Sequence, residues 1–317
     1  MSVQSEFLAP VTRRVRAYFA PVDRSTGAPT VFDAAQMGGF DVDAPPAPWV
    51  DLGWCNGFTR KCETRVEAVR TGAPAMARAQ VRTAIDAIVA LEFESWGKLQ
   101  LALAAGSQQM NLLVPSSGAT LNGSGGVAAT PIALENGSTA TALNVGVAAA
   151  TGFLIGDLVA VDVDYVAQVG FVGSGASGGY VKKTADVGSD INYIRRVTLN
   201  VGRVSGIAAG VVQLERALLA GVPVAGMKVS RLMGFVDREG GSFFHEWSGL
   251  FCMEGEQGDR VLYYYPRLQP MQGATEKAEV LAGPLERLRL SAAFRALPVV
   301  DANDGTAVVC FRSYLPG

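Results

Sequence analysis

The sequence holds a single histidine, His245, and that scarcity narrows the chemistry open to it. A Ser-His-Asp triad or a histidine-rich metal site would have to be built around one ring. The adjacent Glu246 points to the opposite face of any strand that carries His245, so it cannot simply support the same imidazole. A structural strand histidine is the expectation. Cysteine is also sparse: Cys55, Cys62, Cys252 and Cys310 include no C-x-x-C pair, and they are expected as reduced core or surface thiols. Charge is thin, with 18% of residues charged and a net charge of −2. A protein that grips nucleic acid needs clustered Lys and Arg to displace counterions. Here the two signs are interspersed, which disfavours tight binding and leaves passing contact open. No apolar run approaches the roughly 18 residues of a membrane helix. The opening MSVQSEFLAPVTRRVRAYF has no apolar core of a secretory signal, so neither a membrane span nor a signal peptide is expected.

The remaining motifs are weak. GSGASG at 173–178 fits G-x-G-x-x-G, but the following GYVKKTADVGS is poor helix material with no βαβ pattern around it, so a loop is the better reading. Lys182-Lys183-Thr184 lacks the preceding glycine of a phosphate loop. Asp162/Asp164 and Glu254/Glu256 are spaced to share a strand face and could hold a cation or act as a glycosidase-like pair, yet solvated edge positions are commoner. Arg195-Arg196 and Arg287/Arg289 read as exposed strand positions or inter-subunit ion pairs. The Asn-Gly-Ser triplets at 122–124 and 136–138 read as Asn-Gly turns. No enzyme, cofactor or metal site is expected.

What is present is strand texture. Hydrophobic residues make up 49% of the chain, and 37 glycines are spread through Val-, Ala- and Thr-rich sequence. Residues 78–97, RAQVRTAIDAIVALEFESWG, alternate. Ala79, Val81, Ile85, Ala87, Val89, Leu91 and Phe93 fall on odd positions; Arg78, Gln80, Arg82, Asp86, Glu92 and Glu94 fall on even ones. A period of two is a half-buried strand, and this one would extend on the order of 50 Å at about 3.3 Å per residue. Before it, WVDLGWCNGF (49–58) suggests a turn at Asn56-Gly57, and polar TRKCETRVEAVRTGAPAMA (59–77) an exposed loop or hairpin arm. After it, SWGKLQLALAAGS (95–107) predicts a short helix with Ser95 as N-cap and Gly106 as its stop, packed on the sheet.

The composition then shifts. Residues 114–152 are rich in Gly, Ala, Ser and Thr, and short strands with glycine turns follow. This predicts an inserted small β-barrel over 113–233, within a discontinuous β domain formed by 1–112 and 234–317. A hairpin turning at 256–259, an alternating strand over 284–298 and a turn at Asn303-Asp304-Gly305 complete the outer segments.

A strand of that length, wet on one face, would expose backbone edges unless copies of the chain pair and close a wide barrel. A long bent strand shared by two sheets is the alternative. The combination of WVDLGWCNGF, RTGAP (70–74), the long strand, SWGKLQLALAAGSQQMN (95–111), GFVDREGGSFFHEWSGLF (234–251), YYYPRLQPMQG (263–273) and FRALPVVDANDG (294–305) resembles tail tube proteins of long-tailed phages. The resemblance covers the two outer segments, and the 113–233 insert departs from the family's minimal pattern.

It implies a structural virion protein of tail-tube-like β-sandwich or barrel fold. Copies would assemble in the host cytoplasm into rings, usually hexameric, that stack into a hollow tube through which DNA passes. Other tail proteins would meet the tube at its ends, and no membrane would be involved. By analogy Arg78, Gln80, Arg82, Asp86, Glu92 and Glu94 would face the lumen. An arm carrying Arg60, Lys61, Glu63, Arg65, Glu67 and Arg70 would reach an adjacent ring, and the insert would decorate the outside. Another β-rich virion component, such as a capsid decoration or baseplate protein, and a carbohydrate-binding module or hydrolase are the competing readings.

Overall fold

The computed structural model describes residues 12–23, 26–106, 108–114, 131–162, 176–177, 200–238, 246–255, 258–271, 276–282 and 285–316. The protein is mainly β, and every strand pairing among the described residues is antiparallel. The chain forms two compact units: Met1–Val22, Pro29–Trp96 and Phe244–Gly317 make the first, and Asp23–Ala28 with Gly97–Phe243 the second.

The first unit opens with β1 (Thr12–Pro21), β2 (Val50–Thr71) and β3 (Met76–Phe93). The second carries α1 (Lys98–Ala105), β4 (Gln108–Leu113), β5 (Ile132–Ala133), β6 (Ala142–Asn144), α2 (Val147–Ala150), β7 (Leu158–Asp162), β8 (Ala176–Ser177), β9 (Val201–Ala208), β10 (Val211–Leu214) and β11 (Lys228–Arg238). The chain then returns to the first unit with β12 (Trp247–Gly255), β13 (Arg260–Pro270), β14 (Glu276–Ala282), β15 (Leu285–Leu297), β16 (Val299–Val300), β17 (Ala307–Val308) and β18 (Phe311–Leu315).

In the first unit the pairings run β15–β3–β2–β1–β12–β13, and β13 pairs back onto β15 through Arg267↔Leu297 to Pro270↔Phe294. These strands therefore close a ring within one chain. Inside it, Phe19 of β1 meets Phe251 of β12 at 6.0 Å and Phe294 of β15 at 5.1 Å, both edge-on. Ala87, Val89, Leu91 and Phe93 of β3 alternate inward and are buried, as are Leu290, Ala292, Phe294 and Ala296 of β15. Each large side chain withdrawn from water here contributes roughly 1.5–3 kcal/mol.

The segment Tyr18-Phe19-Ala20 is buried on both faces because a second apolar cluster lies outside the ring. Tyr18, Leu250, Cys252 and Tyr264 meet Phe32, Phe40 and Trp49 from the proline-rich connection between β1 and β2. Tyr18 donates its hydroxyl to the Val42 carbonyl (2.8 Å) and Tyr264 to that of Thr30 (2.8 Å), so the buried phenols cost no unmade hydrogen bond.

The second unit has its own core, in which Leu143, Val159, Val161, Val204, Val212 and Val229 are fully buried. Its strands follow the order β6-β10-β9-β7-β11-β4-β8. Among the described residues this path is open at β6 and β8, where a small barrel was expected. The chain passes from one unit to the other at 96/97 and 243/244 rather than at 112/113 and 233/234. Helix α1, β4 and β11 belong to the second unit, and α1 packs on β4 and β11. The helix begins after Gly97, whose N–H donates to Gln100 Oε1 at 3.0 Å, so Ser95 is not its cap. It ends at Gly106, whose φ of 62° is the left-handed conformation that glycine adopts at little cost. Lys98 is buried on this helix and donates Nζ to Asn111 Oδ1 at 2.5 Å.

Candidate functional site

The long strand is half of a hairpin. Beyond Cys55 the only partner of β2 among the described residues is β3, and the two stay paired to Thr71↔Met76, around a tip at 72–75. β15 accompanies β3 from Phe93 only as far as Ala87. From Glu63↔Asp86 outward a two-stranded arm therefore leaves the ring, exposed on both faces, with both outer edges unpaired among the described residues.

Asn56-Gly57 is not a turn. Asn56 faces Glu92 while Thr59 faces Ala90, so β2 has one residue too many at this point and β2 continues through a bulge. Gly57, with φ of 57°, takes the conformation the bulge requires. The turn signal was genuine local chemistry, but the pairing of both flanks with β3 converted it into a kink.

The bulge also turns Arg60 toward the interior side, opposite Val89. Its Nε donates to the Tyr265 hydroxyl at 3.0 Å and its guanidinium lies 5.2 Å from the Tyr263 ring centroid. Arg60 thus fastens the root of the arm to β13 rather than belonging to its free part. Phe58 beside it packs on Phe251 at 5.0 Å and Tyr263 at 5.7 Å.

Two further register shifts lie within the arm, between Arg65 and Val66 and between Val69 and Arg70. The first leaves Thr83 without an opposite residue, and its hydroxyl donates to the Arg65 carbonyl at 3.2 Å. Each shift moves the residues of β3 nearer the tip to the other face. Asp86 and Glu92 consequently lie on the outer face, whereas Arg82 and Gln80, opposite Val66 and Ala68, continue the face of Ala87 and Val89. Arg78 sits in the second shift, and Glu94 follows the strand's end, its N–H donating to the Trp54 carbonyl at 3.1 Å. The six even-numbered polar residues therefore do not form one stripe.

At the arm's root the outer face is charged. Glu63 stands opposite Asp86, a pairing of like charges. Lys61 pairs with Glu63, and Arg295 of β15 reaches Asp86 at 3.1 Å. Arg289 of β15 holds Glu92 at 2.9 Å, so this arginine serves an ion pair within the chain. Arg65 and Glu67 follow at 3.8 Å. Toward the tip the character changes: Val66, Val69, Met76, Val81 and Ile85 are between 43 and 63% exposed. Arg70, the last of the arm positions named from the sequence, is exposed near the tip.

The other sequence candidates give no reactive constellation. Glu254 pairs with Arg260 at 3.1 Å across the β12/β13 hairpin. All four cysteines are free; Cys55 and Cys252 are buried, and burial pushes their thiols up to about 12 and about 11. Ala176 and Ser177 of the GSGASG motif form β8 beside β4, a strand rather than a helix N-terminus. The rest of that motif, His245, Asp164, Lys182-Lys183-Thr184, Arg195-Arg196, Glu256 and the 122–124 triplet lie outside the described residues. Among the described residues no three His, Cys, Asp or Glu side chains cluster as a metal site would require, and no helix is long and apolar enough to cross a membrane.

The surface that sequence reasoning missed is a groove of about 510 Å³ beside the ring, lined by Val31, Phe32 and Asp33, by Tyr264, by Val300 and Asp301, and by Phe311. No local signal marks it, because its walls come from segments far apart in the chain. No protein-family model matches the sequence, and no curated protein matches it.

Proposed function

We propose that this chain is a structural protein of the phage virion whose copies assemble into stacked rings, forming the hollow tail tube through which DNA passes. The observation that carries the reading is the β2/β3 arm, a two-stranded ribbon leaving a ring that is already closed. A lone pair of strands is marginal in water, and unpaired edges invite a further strand. The two open edges belong to different strands, β2 and β3. Pairing the β2 edge of one copy with the β3 edge of the next is a head-to-tail contact, which propagates and closes only as a ring. The interspersed charge suits a conduit, since a strongly basic lumen would retain phosphates. Terminal rings of such a tube keep apolar arm tips free, where other tail proteins would attach.

The test is electron microscopy of the purified chain beside a variant whose residues 63–86 are replaced by a tight turn. The full chain is expected to give rings or filaments with an axial channel, and the armless variant a folded monomer. A full chain that sediments as a monodisperse monomer at high concentration, or an armless variant that still builds tubes, would overturn the reading.

A further inference from the structure

The distal arm and the groove beside the ring carry complementary features. Residues 68–85 contain Arg70, Arg78 and Arg82 and no acidic residue, and they expose Val69, Met76 and Val81. The groove has the reverse electrostatics on a similar apolar ground. Val31 is 75% and Val300 71% exposed at its walls, and Phe311 stacks on Tyr264 at 5.9 Å in its floor. Asp33 and Asp301 stand in its lining. Each accepts only local hydrogen bonds, from the N–H of Ala35 and from Asn303 respectively, and neither forms an ion pair among the described residues.

We infer that this groove is the receiving surface for the distal arm of a second copy, with Met76 or its apolar neighbours seated between Val31, Val300 and Phe311 and the arm's arginines facing Asp33 and Asp301. The inference rests on the assembly reading above and deepens it by naming both halves of one contact. Apolar side chains at the tip supply burial, while the charges set orientation and exclude the wrong partner. A volume of about 510 Å³ takes a few side chains, not a whole strand, so the contact is with the tip and leaves the strand edges to ring closure.

Charge exchange and cross-linking test this together. D33R/D301R and R70D/R78D are each expected to raise the concentration needed for assembly by about tenfold, a change worth roughly 1.4 kcal/mol. A chain carrying all four changes should assemble again. Circular dichroism on each variant establishes that the fold is kept, and recovery in the fourfold variant shows that neither pair of changes had merely damaged it. In parallel, p-benzoylphenylalanine in place of Val300 should cross-link, on irradiation of the assembled protein, to a peptide from 68–85 of another copy. Assembly with unchanged concentration dependence in the charge variants, or cross-links that map elsewhere or to the same chain's arm, would overturn the groove assignment and leave the assembly reading standing. A wild-type chain that never assembles would remove both.

Discussion

Arg295 of β15 reaches diagonally across to Asp86 of β3 at 3.1 Å, and Arg289 repeats the relation with Glu92 at 2.9 Å. From the sequence alone, these carboxylates were simply a wet face. In the structure they fasten the strand that closes the ring to the last strand that accompanies it. Changing Asp86 and Glu92 to Lys removes two cross-strand pairs and sets Lys beside Arg, offset in part by the relief of the repulsion between Glu63 and Asp86. We expect a loss of about 1–2 kcal/mol in urea unfolding, since each such pair contributes roughly 0.2–1 kcal/mol and reversal adds repulsion of similar size. Exchanging Arg289 and Arg295 for Glu in the same chain should recover most of it. Stability unaffected by the first pair of changes would show that the ion pairs do not contribute.

The same two positions test the lumen. If the outer face of β3 lines the tube, the lysines recur around every ring and bind phosphate through counterion release. Particles carrying the four exchanged charges keep the fold and the net charge, so they should eject DNA normally. Particles with only the two lysines should eject slowly and recover in higher salt. Equal ejection kinetics in both would place this face away from the DNA.

Gly57 gives a sharper structural test. Nothing lies within 4 Å of a Cβ built there, so a substitution meets only the backbone penalty of φ near 57°. Gly57→Ala should cost about 1–2 kcal/mol and Gly57→Asn distinctly less, because asparagine tolerates the left-handed region. Equal losses for the two, measured by urea denaturation, would mean that the bulge relaxes in the variants.

Alkaline pH should weaken the first unit. Burial pushes the Tyr264 and Tyr265 phenols up to about 12 from an ordinary 10.0, Cys55 up to about 12 and Cys252 up to about 11 from 9.0. All four groups are neutral when protonated and hold their protons more tightly in the folded state. Their contribution is complete below pH 9 and is lost as pH rises toward 12, where the unfolded chain has already released those protons. Tyrosine absorbance and far-ultraviolet circular dichroism should therefore change together in that window. Tyrosinate appearing near pH 10 with the strand signal intact would contradict the burial.

The division into units makes a prediction about surgery. Replacing residues 97–243 by a Gly/Ser linker removes α1, β4 and β11 with the sheet they belong to, and the ring should fold. Replacing only 113–233 removes the core around Leu143, Val159, Val204 and Val229 while leaving α1, β4 and the paired residues 234–238 of β11 behind. The second variant should be the less stable and the more prone to aggregate. The reverse order, read from solubility and urea midpoints, would put α1 and β4 in the first unit's core.

Several features follow from the sequence by itself. Alternation in 87–93 and 290–296 determined which residues of β3 and β15 face inward, because a strand's side chains change face at each residue. The short helix and its stop at Gly106 followed from local spacing and backbone freedom. The many glycines in Val-, Ala- and Thr-rich sequence pointed to a mainly β chain. Tertiary structure decided the rest, since it depended on which strands met. Asn56-Gly57 became a bulge because both its flanks found β3. The helix joined the second unit because β4 and β11, far apart in sequence, covered its apolar side. The stripe of polar residues was split by two register shifts, which arise from the pairing of β2 with β3 and leave no mark on the period of β3 alone. The ring closed within one chain because β13 met β15, and the arm of β2 and β3 was left to run past it with both its edges unpaired among the described residues; which strands end up beside one another is set by long-range pairing, and no local pattern of residues records it.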